Sequence, residues 1–149
     1  MAIAPVRIAD EVAYAAERHL KQWLEADGPV TAYGSQWYLE AEVRFGRVED
    51  IQSYVDKVLA LLGYDRPVTV RKGRKNASMS RTGTMTIPDT AFGRREMTVL
   101  HELAHHLDRT SGHRDQHGPA FQELFVSLLE DTGHPMTARL LAIYFHEAS

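Results

Sequence analysis

Cysteine is absent from this chain of 149 residues. Without cysteine there are no disulfides, and any metal site must use nitrogen or oxygen ligands instead of thiolates. The absence also suits a reducing compartment. We therefore expect a cytoplasmic protein whose metal chemistry depends on its eight histidines and its carboxylates.

Long apolar runs are absent as well. The stretch from Met1 to Val6 is short and is followed by polar sequence, which does not match a secretory signal peptide. No run approaches the roughly 20 apolar residues of a membrane-spanning helix. With 44% hydrophobic and 25% charged residues, the composition is that of an ordinary globular domain. We expect one domain over residues 1–149, with N-terminal helices in 1–63 and the sheet and metal-site helices in 64–149.

Acidic residues are scarce between Arg66 and Arg95, where eight Lys or Arg accompany a single acid, Asp89. A basic segment of this kind can bind phosphate groups, which makes DNA a candidate partner. The segment also lacks aromatic residues between 71 and 91, which a single-strand binder would use for stacking. A solvated basic hairpin is the alternative. The residues expected to carry DNA binding are Arg71, Lys72, Arg74 and Lys75.

The most informative pattern is His101-Glu102-Leu103-Ala104-His105, an H-E-x-x-H. On a helix, residues four apart lie on one face, so His101 and His105 can place two imidazoles on one metal ion. Glu102 can then reach a water on that metal as general base, which is the arrangement of zinc hydrolases. Apolar residues at helical spacing support a half-buried helix here, and no Gly or Pro interrupts 94–109. The alternative is a surface helix that happens to carry two histidines.

A catalytic zinc site usually has three protein ligands and an open position. The extended pattern with Gly and His after the motif is excluded, because Asp108 and Ser111 occupy those positions. His113 and His117 are the next candidates. His117 opens His-Gly-Pro-Ala-Phe, in which Pro119 suits the first turn of a new helix.

H-E-L-A-H followed by H-G-P-A-F resembles the SprT-like metallopeptidases, which include the Spartan DNA–protein crosslink proteases. The resemblance is close over residues 97–121 and looser over 84–129. It implies a zincin-like fold, one zinc ion per chain held by His101, His105 and His117, and Glu102 as catalytic residue. The linking segment is shorter than in Spartan proteins, and the family's Cys-rich zinc ribbon is missing. The match is therefore to the catalytic core.

Several further residues are candidates for supporting roles. Asp108 shares the helix face of His101 and either hydrogen-bonds a ligand imidazole or is exposed near the end of the helix. His113, Arg109 and Arg114 are candidate donors to the oxyanion of the reaction, and the sequence does not choose among them. His106 faces away from the His101–His105 pair and is not expected to be a ligand.

The remaining chain predicts helices over Ala9–Ala26, Val48–Leu62 and Pro135–His146, and leaves Val30–Phe45 as either strand or loop. Strands are expected at Pro67–Arg71, near Ala77–Ser80, and at Thr84–Ile87. An edge strand above the metal can pair with an extended peptide. We expect Thr84, Met85, Thr86 and Ile87 to form that edge, with an ordinary strand as the alternative.

These observations predict an α+β, zincin-like domain of about four helices, with a small sheet before the H-E-x-x-H helix. The expected function is a zinc metallohydrolase, specifically a metallopeptidase acting on a peptide or protein, without membrane contact. An ImmA/IrrE-like gluzincin, with Glu123 or Glu130 as third ligand, is the first alternative. A non-catalytic metal-binding or nucleic-acid-binding module is the second, although a structural zinc site needs no general base and would use a fourth protein ligand.

Overall fold

The computed structural model describes residues 3–26, 28–110 and 117–148. These residues form an α+β arrangement, as predicted, with five helices where about four were expected. None of these helices has the length and apolar character needed to cross a bilayer. The helices are α1 (Ile3–Glu25), α2 (Val48–Leu61), α3 (Glu96–Thr110), α4 (Pro119–Asp131) and α5 (Pro135–Ala148), and the strands are β1 (Val30–Ala32), β2 (Ser35–Trp37), β3 (Thr69–Gly73), β4 (Ser78–Met79) and β5 (Thr84–Pro88).

The chain divides into two compact units, one formed by residues 1–41 with 113–149 and the other by residues 42–112. The first unit contains α1, α4, α5 and a hairpin of β1 and β2. The hairpin occupies part of the stretch that the sequence left undecided, and it turns through Tyr33 and Gly34, both at positive φ. Val30 and Trp37 face each other across it and pack on Leu140 of α5 to form a small core.

The start of α5 is held by a residue distant in sequence. The carboxylate of Glu40 accepts hydrogen bonds from the backbone N–H groups of Met136 (2.8 Å) and Thr137 (3.1 Å). These are among the N–H groups that a helix leaves without an internal partner in its first turn. Pro135 supplies the first helical residue and needs no such partner. Glu40 therefore caps α5.

The second unit is built around a three-stranded sheet in the order β3-β5-β4. β5 runs parallel to β3 and antiparallel to β4, with Met85 opposite both Val70 and Met79. The prediction that Thr84–Ile87 is an edge strand is therefore wrong. The short strand around Ser78 pairs with the side of β5 that was expected to be open, and Met85 and Ile87 are fully buried.

Helices α2 and α3 belong to the same unit and pack on each other, while α2 also contacts β3 and α3 contacts β4 and β5. Ile51 and Val55 of α2 are fully buried. Gln52 of α2 ties the helix to the start of β3, because its amide donates to the Val68 carbonyl and accepts from the Val70 N–H at 2.7 Å. The sheet and both helices therefore enclose one core, which α3 enters from the end of β5.

Candidate metal centre

Helix α3 is buried on all sides through the H-E-x-x-H motif. Every residue from 101 to 108 is buried, including His101 (7% exposed), Glu102 (7%) and His105 (9%). The sequence predicted only a half-buried stripe. A helix that is buried on all sides is normally apolar. The imidazoles and carboxylates buried on α3 therefore need hydrogen bonds or a metal ion as partners.

The side chains of His101 and His105 meet as the spacing predicts. Their Nε2 atoms lie 3.2 Å apart, and their rings are 4.9 Å apart between centroids at an interplanar angle of 75°. Two nitrogens that bind one tetrahedral zinc at about 2.0–2.1 Å stand about 3.3 Å apart. The separation of the two nitrogens therefore suits a shared metal ion.

His117 lies at the entry to α4 and is 6% exposed. Gly118 is the residue before the helix, Pro119 begins it, and the side-chain amide of Gln122 donates to the His117 carbonyl at 3.2 Å. The His117 ring stands perpendicular to Phe121, with 5.1 Å between ring centroids. The turn and the aromatic neighbour together hold the imidazole in one orientation.

His101, His105 and His117 form a buried three-histidine group that could bind a metal ion. Each offers one ring nitrogen, and these nitrogens all lie within 4.8 Å of one another. Glu123 and Glu130, the alternative third ligands, are exposed and do not belong to the group.

The start of α3 is fixed by two buried carboxylates. Glu42 pairs with Arg95 at 2.8 Å, with both side chains 3% exposed, and its other oxygen accepts from the Met97 N–H. Glu96 accepts from the Val43 N–H at 3.0 Å and from the Tyr54 hydroxyl. Removing one partner of a buried ion pair typically costs about 3–5 kcal/mol. These contacts therefore fix the residue at which α3 begins, and with it the position of the histidines along the helix.

The far end of α3 is tied to the sheet. Arg109, a predicted oxyanion donor, donates from its guanidinium to the carbonyl of Met79 in β4.

His106 is 5% exposed, and its ring lies 6.0 Å from that of Tyr64 at a steep angle. Burial lowers the pKa of His106, and the charges of Arg66 and Arg109 lower it further, against a hydrogen bond to the Arg66 backbone that raises it. His106 thus packs as a neutral side chain and is not part of the three-histidine group.

Asp108 is 2% exposed, so the alternative of an exposed residue at the end of the helix is wrong. Its role as acceptor for a ligand imidazole stays a prediction. His113 and Arg114, the other predicted oxyanion donors, lie outside the described residues.

Tyr14 was not singled out from the sequence. Its ring lies 5.7 Å from that of His117, and the residue is 52% exposed. Its aromatic ring therefore packs beside that of a candidate ligand. The sequence gave no sign of this contact, because Tyr14 is not part of the apolar stripe predicted for the first helix. That stripe consists of Val12, Ala16, His19, Leu20 and Trp23.

The basic residues between Arg66 and Arg95 fall into two groups, those that pair with an acid and those that are exposed and unpaired with one in the described part of the chain. Arg95 is buried against Glu42, and Arg94 pairs with Asp89 at 2.6 Å. Lys72 reaches the exposed Glu49 at 3.4 Å. Five exposed cations form no ion pair with an acid among the residues that the structure describes: Arg66, Arg71, Arg74, Lys75 and Arg81. The segment thus keeps an exposed positive surface around β3 and the loop that follows it.

No family model, curated protein or solved structure matches this chain.

Proposed function

We propose that this chain is a zinc-dependent metallohydrolase of zincin-like fold, specifically a peptidase of the SprT-like type. The observation that carries the proposal is the facing pair of His101 and His105 nitrogens, 3.2 Å apart on a buried helix. A glutamate stands directly beside the first of them, also buried. A buried base next to a metal-binding pair has no role in a merely structural site.

The donor set fits zinc. Three neutral imidazoles are typical zinc ligands, and three protein ligands leave one tetrahedral position open. The three-histidine group offers that number of nitrogens within a suitable distance. When bound, zinc acts as a Lewis acid that polarises a carbonyl oxygen and makes water more acidic.

Glu102 is the proposed general base. Its carboxylate accepts a proton from the attacking water and passes it to the leaving amine, so that no free hydroxide or amide anion is needed. Burial at 7% exposure limits competition from solvent. The hydrogen bonds of Glu42 and Glu96 at the start of α3 keep the helix, and therefore its two histidines, in position.

The central position of β5 excludes it as a strand edge for the substrate, and β4 is the outer strand next to it. In the antiparallel pairing of β4 with β5, the Ser80 N–H bonds to Thr84 and Met79 is the non-bonded position. The backbone N–H and C=O groups of Met79 are therefore directed away from β5. Its carbonyl accepts from Arg109, so a peptide added there would have to displace that contact.

The test is Glu102→Gln, measured on the zinc-loaded protein with a mixture of internally quenched peptides of random sequence. We expect zinc content by elemental analysis and the circular dichroism spectrum to be unchanged. Turnover should fall by about 10²–10⁴-fold, the usual contribution of general acid–base catalysis.

Glu49→Gln, an exposed glutamate of α2, is the matched control and should keep full turnover. Unchanged turnover in Glu102→Gln with zinc still bound would remove Glu102 as the base. Turnover that survives complete zinc removal by a chelator would refute the metallohydrolase assignment.

A further inference from the structure

Helices α4 and α5 enclose a groove of about 560 Å³ that the proposed chemistry does not use. A volume in the range of about 300–1,000 Å³ is typical of sites that bind a ligand. The contributing positions of α4 recur at helical spacing and mark one face of that helix. The lining residues are Pro119, Gln122, Glu123, Val126, Ser127 and Glu130 of α4, and Ala142, Phe145 and His146 of α5.

The groove combines an apolar surface with negative charge. Val126, Ala142 and Phe145 provide the apolar part. Glu123 and Glu130 are exposed, and neither forms an ion pair within the part of the chain that the structure describes. No lysine or arginine is among the described lining residues. A complementary ligand therefore carries an apolar body and positive charge.

The distance between the carboxylates of Glu123 and Glu130 further restricts which ligands can fit. Residues seven apart on a helix stand about 10.5 Å apart along its axis. A single small ammonium ion cannot contact both groups over that distance. A second helix lying along the groove presents residues seven apart at the same separation, with apolar residues between them facing the groove.

We propose that the α4–α5 groove binds an amphipathic helix that carries two basic residues seven positions apart and apolar side chains between them. A second copy of this chain does not supply such a helix. None of α1 to α5 has two Lys or Arg seven residues apart. The occupant is therefore a segment of another protein, and a nucleic acid is repelled by Glu123 and Glu130.

The groove also adjoins the candidate metal centre along the chain. Pro119 is two residues after His117, and Gln122 both lines the groove and donates to the His117 carbonyl. The groove proposal stands without the metallohydrolase assignment, because it uses neither zinc nor Glu102.

The test uses the full-length protein and a fluorescein-labelled helical peptide of about 16 residues, long enough to form a helix when bound. The peptide has two lysines seven positions apart and leucines between them. Fluorescence anisotropy should give saturable binding that weakens as salt rises, because exposed charge pairs are screened. A second peptide with glutamate in place of lysine should not bind.

Glu123→Gln combined with Glu130→Gln should weaken binding by about tenfold, as expected for the loss of two exposed ion pairs. Val126→Ser should also weaken it, through the lost apolar contact. Asp131→Asn is the matched control: Asp131 is an exposed acid on the same helix but outside the groove, and its variant should bind like the unaltered protein.

Three outcomes would overturn the proposal. They are equal binding of the lysine and glutamate peptides, equal affinity of the double variant and the Asp131→Asn variant, and no binding at millimolar peptide concentration. Each variant is first checked by circular dichroism, and turnover of the double variant should equal that of the unaltered protein.

Discussion

At the scale of single residues, the candidate site depends on the type of atom offered at each position. His101 and His105 present ring nitrogens from the same face of α3. Glu102 offers an oxygen that can take a proton. Substituting a histidine is expected to lower metal affinity, because the ligands hold the metal. Substituting Glu102 is expected to lower the reaction rate, because the base transfers the proton.

The third ligand is tested by His117→Ala. The unaltered protein should bind about one zinc per chain, and the variant should lose most of that affinity because two imidazoles remain. Elemental analysis after dialysis and competition with a chromogenic chelator measure the loss.

Glu123→Ala and Glu130→Ala are the controls for this experiment. Both residues are exposed and outside the three-histidine group, so both variants should keep zinc. If either control loses zinc while His117→Ala retains it, a glutamate is the third ligand and the gluzincin alternative is correct.

At the scale of elements, the turn between β5 and α3 determines how the H-E-x-x-H helix leaves the sheet. Gly93 lies in this turn, against the backbone of Pro88. A Cβ at this position would overlap the Pro88 carbonyl oxygen, and a backbone atom cannot move aside as a flexible side chain can. The position therefore requires glycine for close approach.

Gly93→Ala should lower the free energy of unfolding by about 1–3 kcal/mol, the usual range for overpacking. Chemical denaturation followed by circular dichroism measures the change. Gly46→Ala serves as control, since a Cβ there meets nothing within 4 Å, and it should leave stability nearly unchanged. Equal stability of the two variants would show that the turn relaxes without cost.

A second element-level prediction concerns Glu40, the cap of α5. Burial by itself raises the pKa of this carboxyl, but hydrogen bonds from Met136 and Thr137 outweigh it, and the net pKa is lowered. The charged form is therefore favoured in the folded state. Its stabilisation is complete above the ordinary pKa of glutamate, about 4.3, and is lost as pH falls through the lower pKa of the folded state.

Glu40→Gln should therefore reduce stability at neutral pH by about 0.5–2 kcal/mol, the range for a lost helix cap. The difference from the unaltered protein should shrink as the pH falls below the ordinary pKa of glutamate, about 4.3. Urea denaturation at several pH values measures it, with the exposed Glu147→Gln as control. A difference that stays constant with pH would contradict the proposed role of the charge.

At the scale of the whole molecule, charge is unevenly distributed. The chain has a formal net charge of −3, yet the exposed cations around β3 form a positive surface. Such a surface attracts phosphate groups whatever their sequence. DNA binding by Arg71, Lys72, Arg74 and Lys75 stays a prediction.

If these four side chains contact phosphates, DNA affinity should fall by about two orders of magnitude between roughly 50 and 200 mM salt. Replacing all four with Gln should weaken binding to every sequence and flatten the salt dependence. Fluorescence anisotropy with labelled duplex and single-stranded DNA measures both effects. Lys57→Gln with Arg139→Gln removes two exposed cations elsewhere and should matter little. Absence of binding at the lower salt concentration would leave β3 with a solvated basic face.

The amino-acid sequence alone determined features that depend on neighbours along the chain. The spacing of His101 and His105, the uninterrupted α3 and the proline that begins α4 follow from helical periodicity and local backbone preference. These interactions span only a few residues, so the sequence displays them directly. The prediction of His117 as third ligand needed more, namely the family resemblance, and the three-histidine group agrees with it.

Only the tertiary structure decided features that join residues far apart in sequence. β5 became the central strand because β3 and β4 pair on its two sides, and periodicity contains no information on which strands become neighbours. Glu40 caps a helix 96 positions further along the chain. Tyr14 lies beside His117 for the same kind of reason, since packing of α1 brings together side chains that no local pattern links.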